Sequence, residues 1–337
     1  MKTQPLSVFV FVYAPQQPYE RTKDTIYGMQ ETKPMEWFRR HITGSSSTEK
    51  CYRSAFNAFC HWTERNNRVP RTWDDVSMKL VQNFSEHCLR QYSASRYNML
   101  MMVLRHLLIQ AYNDVSVPFS NGEILTFLKE QRALTSVQDD GRVALTKEQV
   151  EMLYELHTED RMERLVRDMF VLQCLTSLRI SNVSGADFRQ HRKEKEFDVI
   201  QVKEKGSSNQ RVSLYMDTRI GAILERNDWH FPHIMQNTYN RILRQLIKRM
   251  PYAKDMVEIK TRRADGSTRI MSKPLFEAIR SHNGRRTFIT ELRSNPNVQD
   301  RDLMVFTGHK SMRMLATYDK TSRTRRAQNV LRAMGRI

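Results

Sequence analysis

Two blocks of helical periodicity, separated by a stretch with the composition of loops, constrain the fold of this sequence most strongly. Between residues 35 and 112 apolar residues recur at helical spacing, as Tyr52, Phe56 and Phe59 do at i, i+4 and i+7. Residues 114–143 contain DVSVPFSNGE and TSVQDDGRV, whose proline, glycine, serine and aspartate are typical of turns. Helical spacing then returns. A chain of 337 residues is long enough for each block to form a domain with its own core.

The first block predicts a bundle of three or four helices with basic outer faces. Small polar residues that can cap a helix N-terminus precede each predicted helix. The candidate caps are Ser46, Ser47 or Thr48 for one helix, Asp74 or Asp75 for the next, and Ser93 or Ser95 for the third.

The second block predicts helices combined with a small sheet. In LTKEQVEMLYEL, Thr146 and Gln149 have the spacing of a capping box, and a longer helix is expected over about 159–177. Alternation in FDVIQVKEKGSSNQRVSLYM predicts a β-hairpin with a Gly/Ser/Asn turn, and EIKTRRADGSTRIMSKP is a candidate for another. The expected fold class is mainly α with a small β-sheet, the second domain being α+β. The predicted organisation is a short extension (1–34), a helical domain (35–115), a linker (116–143), an α+β domain (144–322) and a C-terminal helix (323–337).

The charge balance indicates an anionic partner. The chain has 55 Lys and Arg against 37 Asp and Glu, a formal net charge of +18, which favours binding to nucleic acid or to an acidic membrane. No apolar run approaches the ~20 residues that a membrane span needs. The segment SVFVFVYAP, residues 7–15, alternates like a strand and lacks a cleavage signal. The four cysteines have neither metal-binding nor disulfide spacing, so we expect buried thiols in a reducing cytoplasm.

Four features of the second block are candidates for chemistry. They are Arg179 after an apolar helix, Lys205 beside a glycine turn, His282 and Arg285 in SHNGRRTF, and His309 followed nine residues later by Tyr318. Each of these residues, taken alone, is more often an ordinary surface or core residue. The cations of HNGRR differ, because positive charge at a helix N-terminus opposes the helix dipole. This arrangement indicates that a negatively charged group binds nearby.

Together, in order and spacing, these residues resemble the active-site boxes of the tyrosine recombinases, also called phage-integrase-type site-specific recombinases. TSLRIS resembles the family's T-G-L-R-I-S-E box, EKGSSNQRVSL its lysine hairpin, SHNGRRTF its H-x-L-R-H-T-F box, and TGHKSMRMLATY its L-G-H-S-x…Y box. The resemblance covers about 145–320 strongly and 35–115 more weakly, and SHNGRRTF is similar to integrases of Bacteroidetes mobile elements. It implies a helical core-DNA-binding domain and a catalytic domain that close round DNA as a C-shaped clamp.

Several positions depart from the family's pattern. Ser177 replaces the usual glycine, Ser213 replaces the hairpin proline, and Gly284 replaces leucine. Arg286 replaces the second histidine of its box, and Asn182 stands where an acidic residue often follows the first arginine box. None of these changes removes a catalytic group. Asn182 puts in doubt a carboxylate that would help to orient the first arginine.

The resemblance implies a reaction in which Tyr318 attacks a DNA phosphodiester and forms a 3′-phosphotyrosine with a free 5′-hydroxyl. The covalent link conserves the bond energy, so no ATP is expected. Arginines would fill the role that Mg²⁺ has in other phosphoryl-transfer sites, so no metal or other cofactor is expected. Guanidinium groups suit the anionic transition state because they donate bidentate hydrogen bonds and stay charged. The implied roles are oxygen binding for Arg179 and Arg285, further donors from His282 and His309, and protonation of the leaving 5′-oxygen by Lys205. His282 is also a candidate base for Tyr318, and Arg286 a candidate phosphate contact.

The implied partners are duplex DNA with specific recombination sites, a homotetramer on two paired sites, and accessory DNA-bending or directionality factors, with no membrane. The implied location is the bacterial cytoplasm, in association with the nucleoid. The basic segment 323–337 is expected to pack on a neighbouring protomer. The sequence leaves three alternatives open: an invertase or resolvase of the same family, a type IB topoisomerase-like enzyme, and a non-catalytic DNA-binding regulator.

Overall fold

A computed structural model describes residues 33–44, 46–131, 133–134, 138–139, 143–189, 192–194, 197–203, 211–295, 297–309, 311–312 and 315. For residues 46, 138–139, 192–194, 197–203 and 211–213 it describes the backbone alone. The predicted strand at 7–15, the C-terminal helix at 323–337, Lys205 and Tyr318 lie outside the described residues.

The described residues divide into two compact units. Unit 1 comprises those up to residue 136 together with Arg262–Ser267, and unit 2 comprises 137–261 and those from 268 onward. None of the helices described is long and apolar enough to cross a membrane.

Unit 1 is a helical bundle. Its helices are α1 (Pro34–His41), α2 (Ser46–Arg65), α3 (Met78–Gln91), α4 (Ala94–Asn113) and α5 (Gly122–Glu130). Aromatic rings meet edge to face in its core: Trp37 packs against Phe38 and Trp73, and Phe59 packs against Phe84. Such pairs add to the free energy gained from burying the rings. Helix α5 lies inside 116–143, where the turn-rich composition predicts no helix.

The helix starts in unit 1 follow local hydrogen bonding. Ser93 caps α4 as predicted, because its hydroxyl accepts from the Arg96 N–H at 3.3 Å. The prediction that Asp74 or Asp75 opens α3 was wrong. Ser77 is the cap, accepting from the Leu80 N–H at 3.3 Å. Asp75 is already used in the preceding turn, where its carboxylate accepts from the N–H groups of two earlier residues.

The remaining elements combine helices with two small antiparallel sheets. They are β1 (Gln138–Asp139), α6 (Lys147–Glu155), α7 (Arg161–Thr176), α8 (Ile180–Val183), β2 (Arg192–Glu194), β3 (Phe197–Lys203), β4 (Arg211–Tyr215), α9 (Thr218–Glu225), α10 (Gln236–Lys248), β5 (Met256–Arg262), β6 (Thr268–Pro274), α11 (Leu275–Ala278), α12 (His282–Arg293) and α13 (Asp300–Thr307).

Both predicted hairpins are present as strand pairs. The strand orders are β2-β3-β4 and β1-β5-β6. The β3–β4 register runs from Val199 opposite Tyr215 to Lys203 opposite Arg211. The capping box of α6 is also confirmed, since Thr146 and Gln149 each bond the other's backbone. The mainly α fold with a small β component is therefore the one observed.

Helix α7 forms the centre of unit 2 and is buried along most of its length. Helix α12 packs closely against it at Gly284. A Cβ at this position would lie 2.7 Å from the Cβ of Gln173 and 3.3 Å from the carbonyl oxygen of Phe170. Gln173 cannot easily move away, because its amide bonds Leu178 O and the Tyr239 hydroxyl, both at 3.0 Å. The close approach explains why glycine stands here, where leucine would not fit.

We expect Gly284→Ala to lower the free energy of unfolding by about 1–3 kcal/mol, the usual effect of overpacking. The matched control is Gly221→Ala in α9, where an added Cβ meets nothing within 4 Å. In this control the free energy of unfolding should rise by about 0.5–1 kcal/mol, because alanine is the better helix former. Urea titrations of the two variants give the comparison. Equal stabilisation by both alanines would contradict the packing described for α12.

Candidate active site

The turn that follows α7 positions the first arginine. Ser177 ends the helix in the left-handed conformation, with φ 64° and ψ 4°, and its N–H donates to Gln173 O at 2.9 Å. The hydroxyl of Thr176 donates to Leu172 O at 2.6 Å, which stabilises the last helical turn. The half-buried Arg179 follows as the residue before α8. The backbone of this turn therefore holds Arg179 at the C-terminal end of α7.

We expect Ser177→Gly to stabilise the protein by about 1–2 kcal/mol, since the left-handed conformation costs this much for a residue with a Cβ. The serine hydroxyl is buried and has no hydrogen-bond partner among the described residues, so little is lost with it. Thermal unfolding of Ser177→Gly and Ser177→Ala measures the effect. The alanine variant keeps the backbone strain of the left-handed conformation and should gain much less stability. A glycine variant that is less stable than the wild type would contradict the left-handed conformation assigned to residue 177.

Arg285 on α12 is 2% exposed and joins two helix ends. Its Nη1 donates to Ser177 O at 2.9 Å, at the end of α7. Its Nη2 donates to Thr307 O, in the last turn of α13. Buried guanidinium groups require such acceptors, because an unsatisfied buried charge is costly. The two carbonyl groups therefore fix the guanidinium in one place.

His309 lies two residues beyond the end of α13 and contacts the same guanidinium group. Gly308 ends the helix with a φ of 66°, which turns the chain so that His309 is 4% exposed. Its Nε2 lies 3.1 Å from Nη2 of Arg285. Its Nδ1 lies 2.8 Å from the hydroxyl of Thr307.

Positive charge surrounds His309. Burial and then the charges of Arg285, Arg179 and His282 lower the pKa of its imidazole to about 3. The ring is therefore neutral in the free protein at ordinary pH. The same effect shows that Arg179 and His282 lie close enough to act on His309 electrostatically.

The structure thus brings together four of the six predicted catalytic residues: Arg179, His282, Arg285 and His309. His282 is the first residue of α12, which has no acidic residue in its first turn. The prediction that these cations occupy a helix N-terminus is confirmed. Arg286 follows on the same helix and is half-buried. Its role as a phosphate contact stays a prediction.

This concentration of donors suits an anion rather than a metal ion. Among the described residues no group of three His, Cys, Asp or Glu is placed to hold a metal. Three cysteines are buried and Cys51 is half-buried, all with free thiols. Guanidinium donors fixed by backbone carbonyls form a preorganised site, which needs little rearrangement when an anion binds.

Comparison with known proteins gives a fold. No family model and no curated protein matches the sequence. Solved structures do match. The Tn1549 transposon integrase in complex with circular intermediate DNA aligns at 14% identity over 89% of this chain and 99% of its own, with a TM-score of 0.55. The chain has the tyrosine-recombinase fold.

Two further solved structures with this fold also align with the chain. A lambda integrase dimer bound to a COC′ core site aligns at 15% identity over 87% of this chain and 97% of its own, with a TM-score of 0.57. The XerH site-specific recombinase bound to its difH substrate aligns at 11% identity over 89% of this chain and 98% of its own, also with a TM-score of 0.57. At these identities the likeness establishes the fold alone.

Sequence reasoning did not single out Thr307, which contacts both Arg285 and His309. The carbonyl group of Thr307 could not have been found from the sequence, because every residue has a carbonyl group. Its hydroxyl could have been found, because a threonine two residues before a candidate histidine is close enough to bond the ring.

Proposed function

We propose that this protein is a site-specific DNA recombinase that cuts and rejoins DNA through a 3′-phosphotyrosine intermediate. One observation supports the proposal most strongly. Arg285 is almost fully buried, is fixed by carbonyl groups of two helices, and contacts His309, on which Arg179 and His282 also act electrostatically. Guanidinium donors held in place by the protein form a preorganised site for an anion.

A DNA phosphodiester fits this cluster. It carries one negative charge, and its pentacoordinate transition state adds another, spread over the non-bridging oxygens. Arg179 and Arg285 bind these oxygens, and their planar guanidinium groups supply the bidentate donors that such oxygens accept. Each preorganised donor of this kind lowers the barrier by about 3–4 kcal/mol.

The covalent step uses two residues that lie outside the described ones. The oxygen of Tyr318 bonds to phosphorus while the bond from phosphorus to the 5′-oxygen breaks, and Lys205 gives that oxygen a proton. The proton of Tyr318 goes to a base, for which His282 is the candidate. In the second half of the reaction the 5′-hydroxyl of a partner strand displaces Tyr318. Bond energy is conserved throughout, so the reaction needs no ATP. The arginines fill the role that Mg²⁺ has in other phosphoryl-transfer sites, so it needs no metal.

The partners follow from the same reaction. A net charge of +18 provides non-specific attraction to duplex DNA and predicts strong dependence of binding on salt. We assign core-DNA binding to the helical bundle of unit 1 and catalysis to unit 2. Strand exchange requires two paired sites, which four protomers would hold, and accessory factors could set direction.

Covalent trapping tests the proposal. The purified chain is incubated in EDTA with supercoiled plasmids that carry its native flanking DNA, and the reaction is stopped with SDS. We expect protein-linked DNA, with ends that map to one sequence. Tight binding without any covalent adduct on native flanks would contradict the proposal and favour a non-catalytic DNA-binding regulator.

A further inference from the structure

The hydroxyl of Thr307 has one proton, and its partners show where that proton goes. The oxygen Oγ1 lies 2.7 Å from Leu303 O. A carbonyl oxygen can only accept, so the hydroxyl donates to it. The same Oγ1 lies 2.8 Å from Nδ1 of His309. With its only proton already donated, Thr307 must accept at this contact, and Nδ1 must carry a hydrogen.

The guanidinium group of Arg285 lies against the same ring. Nη2 of Arg285 lies 3.1 Å from Nε2 and 3.5 Å from Nδ1, so it contacts both nitrogens and does not lie on the line of either lone pair. The bond to Thr307 therefore fixes the tautomer by itself. The hydrogen is on Nδ1, and a neutral ring then keeps its lone pair on Nε2.

We propose that Thr307 is a positioning residue that fixes the tautomer of His309, with the hydrogen on Nδ1 and the lone pair on Nε2. Thr307 acts on the site in two ways. Its carbonyl oxygen accepts from Arg285, and its hydroxyl orients the ring of His309, which contacts the same guanidinium group. The groups that act electrostatically on the ring are Arg285 and His282 on α12 and Arg179 before α8, and each disfavours the charged form of the ring. They favour the neutral ring that this arrangement requires.

This inference rests on the proposed function for its consequence. In the free protein His309 carries no hydrogen on Nε2 and therefore does not donate toward an anion from that atom. It can donate to a phosphate oxygen only after Nε2 has gained a proton, which the negative charge of bound DNA would favour.

Three variants of the full chain test the proposal. Thr307→Ser keeps the hydroxyl, Thr307→Val replaces it with a methyl group of similar size, and His309→Gln identifies the signals of this ring. Long-range ¹H–¹⁵N spectra of histidine-labelled protein at pH 7 report which nitrogen carries the hydrogen. We expect the Nδ1–H pattern in the wild type and in Thr307→Ser. Thr307→Val should shift toward the Nε2–H form, because Nδ1 has lost its acceptor.

The cleavage rate gives a second readout. We expect Thr307→Val to cleave about 10–100-fold more slowly, comparable to the loss of other groups that orient a functional histidine, with DNA binding nearly unchanged. Thr307→Ser should recover most of the rate.

An Nε2–H tautomer in the wild type would overturn the proposal, as would an unchanged tautomer in Thr307→Val. The wild-type spectrum decides even if the valine variant does not fold. If the wild type cleaves no DNA, the proposed function fails while the spectra still decide the role of Thr307.

Discussion

Tyr318→Phe should abolish covalent attachment to DNA while leaving DNA binding intact. The substitution removes one oxygen, the atom that would bond to phosphorus, and keeps the ring. Loss of the nucleophile in covalent catalysis costs on the order of 10⁶-fold in rate, so no adduct should be detectable. Binding should change little, since the positive charge that attracts the phosphates remains. SDS trapping and gel-shift titration of the same preparation measure the two quantities.

The matched control is Tyr154→Phe. Tyr154 is half-buried in α6, where its ring faces the guanidinium groups of Arg219 and Arg226. Phenylalanine keeps that contact, so adduct formation should equal that of the wild type. An adduct that persists in Tyr318→Phe would show that another residue is the nucleophile. An adduct lost in both variants would show that the assay reports general damage to the fold.

Arg285→Lys should lower the cleavage rate about 10²–10³-fold, the effect of removing one preorganised donor from a transition state. Lysine keeps the charge but lacks the planar fork of donors. It cannot reproduce the arrangement that reaches Ser177 O, Thr307 O and Nε2 of His309 at once. Single-turnover cleavage at saturating protein separates this effect from binding, which should change only slightly.

Arg301→Lys is the control for this change. Its side chain lies on α13 and is 75% exposed, and its Nε lies 4.0 Å from a carboxylate oxygen of Asp302. The Arg301→Lys variant should cleave DNA at the wild-type rate. Wild-type cleavage by Arg285→Lys would contradict the role assigned to the buried guanidinium. A large loss of stability in that variant, seen in urea titration, would assign the defect to folding instead.

The sequence predicts those parts of the fold that depend on neighbouring residues. The capping box of Thr146 and Gln149, the cap at Ser93 and both strand pairs are set by local hydrogen bonding and alternation, and all are present. The prediction of the α3 cap was wrong because the Asp75 carboxylate bonds two N–H groups within the four preceding residues. The sequence pattern alone does not show that these bonds are preferred to capping the helix. Helix α5 was missed because it has only nine residues and its flanks are rich in loop residues, although its buried Ile124 and Leu128 do have helical spacing.

In the candidate site, too, the sequence predicts some features and not others. The sequence identifies Arg179, His282, Arg285 and His309 by residue type and order. It does not give the acceptors that hold Arg285, since these are backbone carbonyls of two helices more than 100 residues apart in the chain. It also does not explain Gly284, whose role depends on how closely α12 approaches α7. Such features depend on tertiary packing. The roles of Lys205 and Tyr318 stay predictions.

The proposed reaction requires one tyrosine of this chain to form a covalent bond with DNA. The most direct measurement is to trap the adduct in EDTA, digest both protein and DNA, and find by mass spectrometry which peptide carries the nucleotide phosphate. We predict that the modified residue is Tyr318 and that the attached phosphate is the 3′-phosphate of the cut strand. A phosphate attached to any other residue, or linked through a 5′-end, would contradict the account.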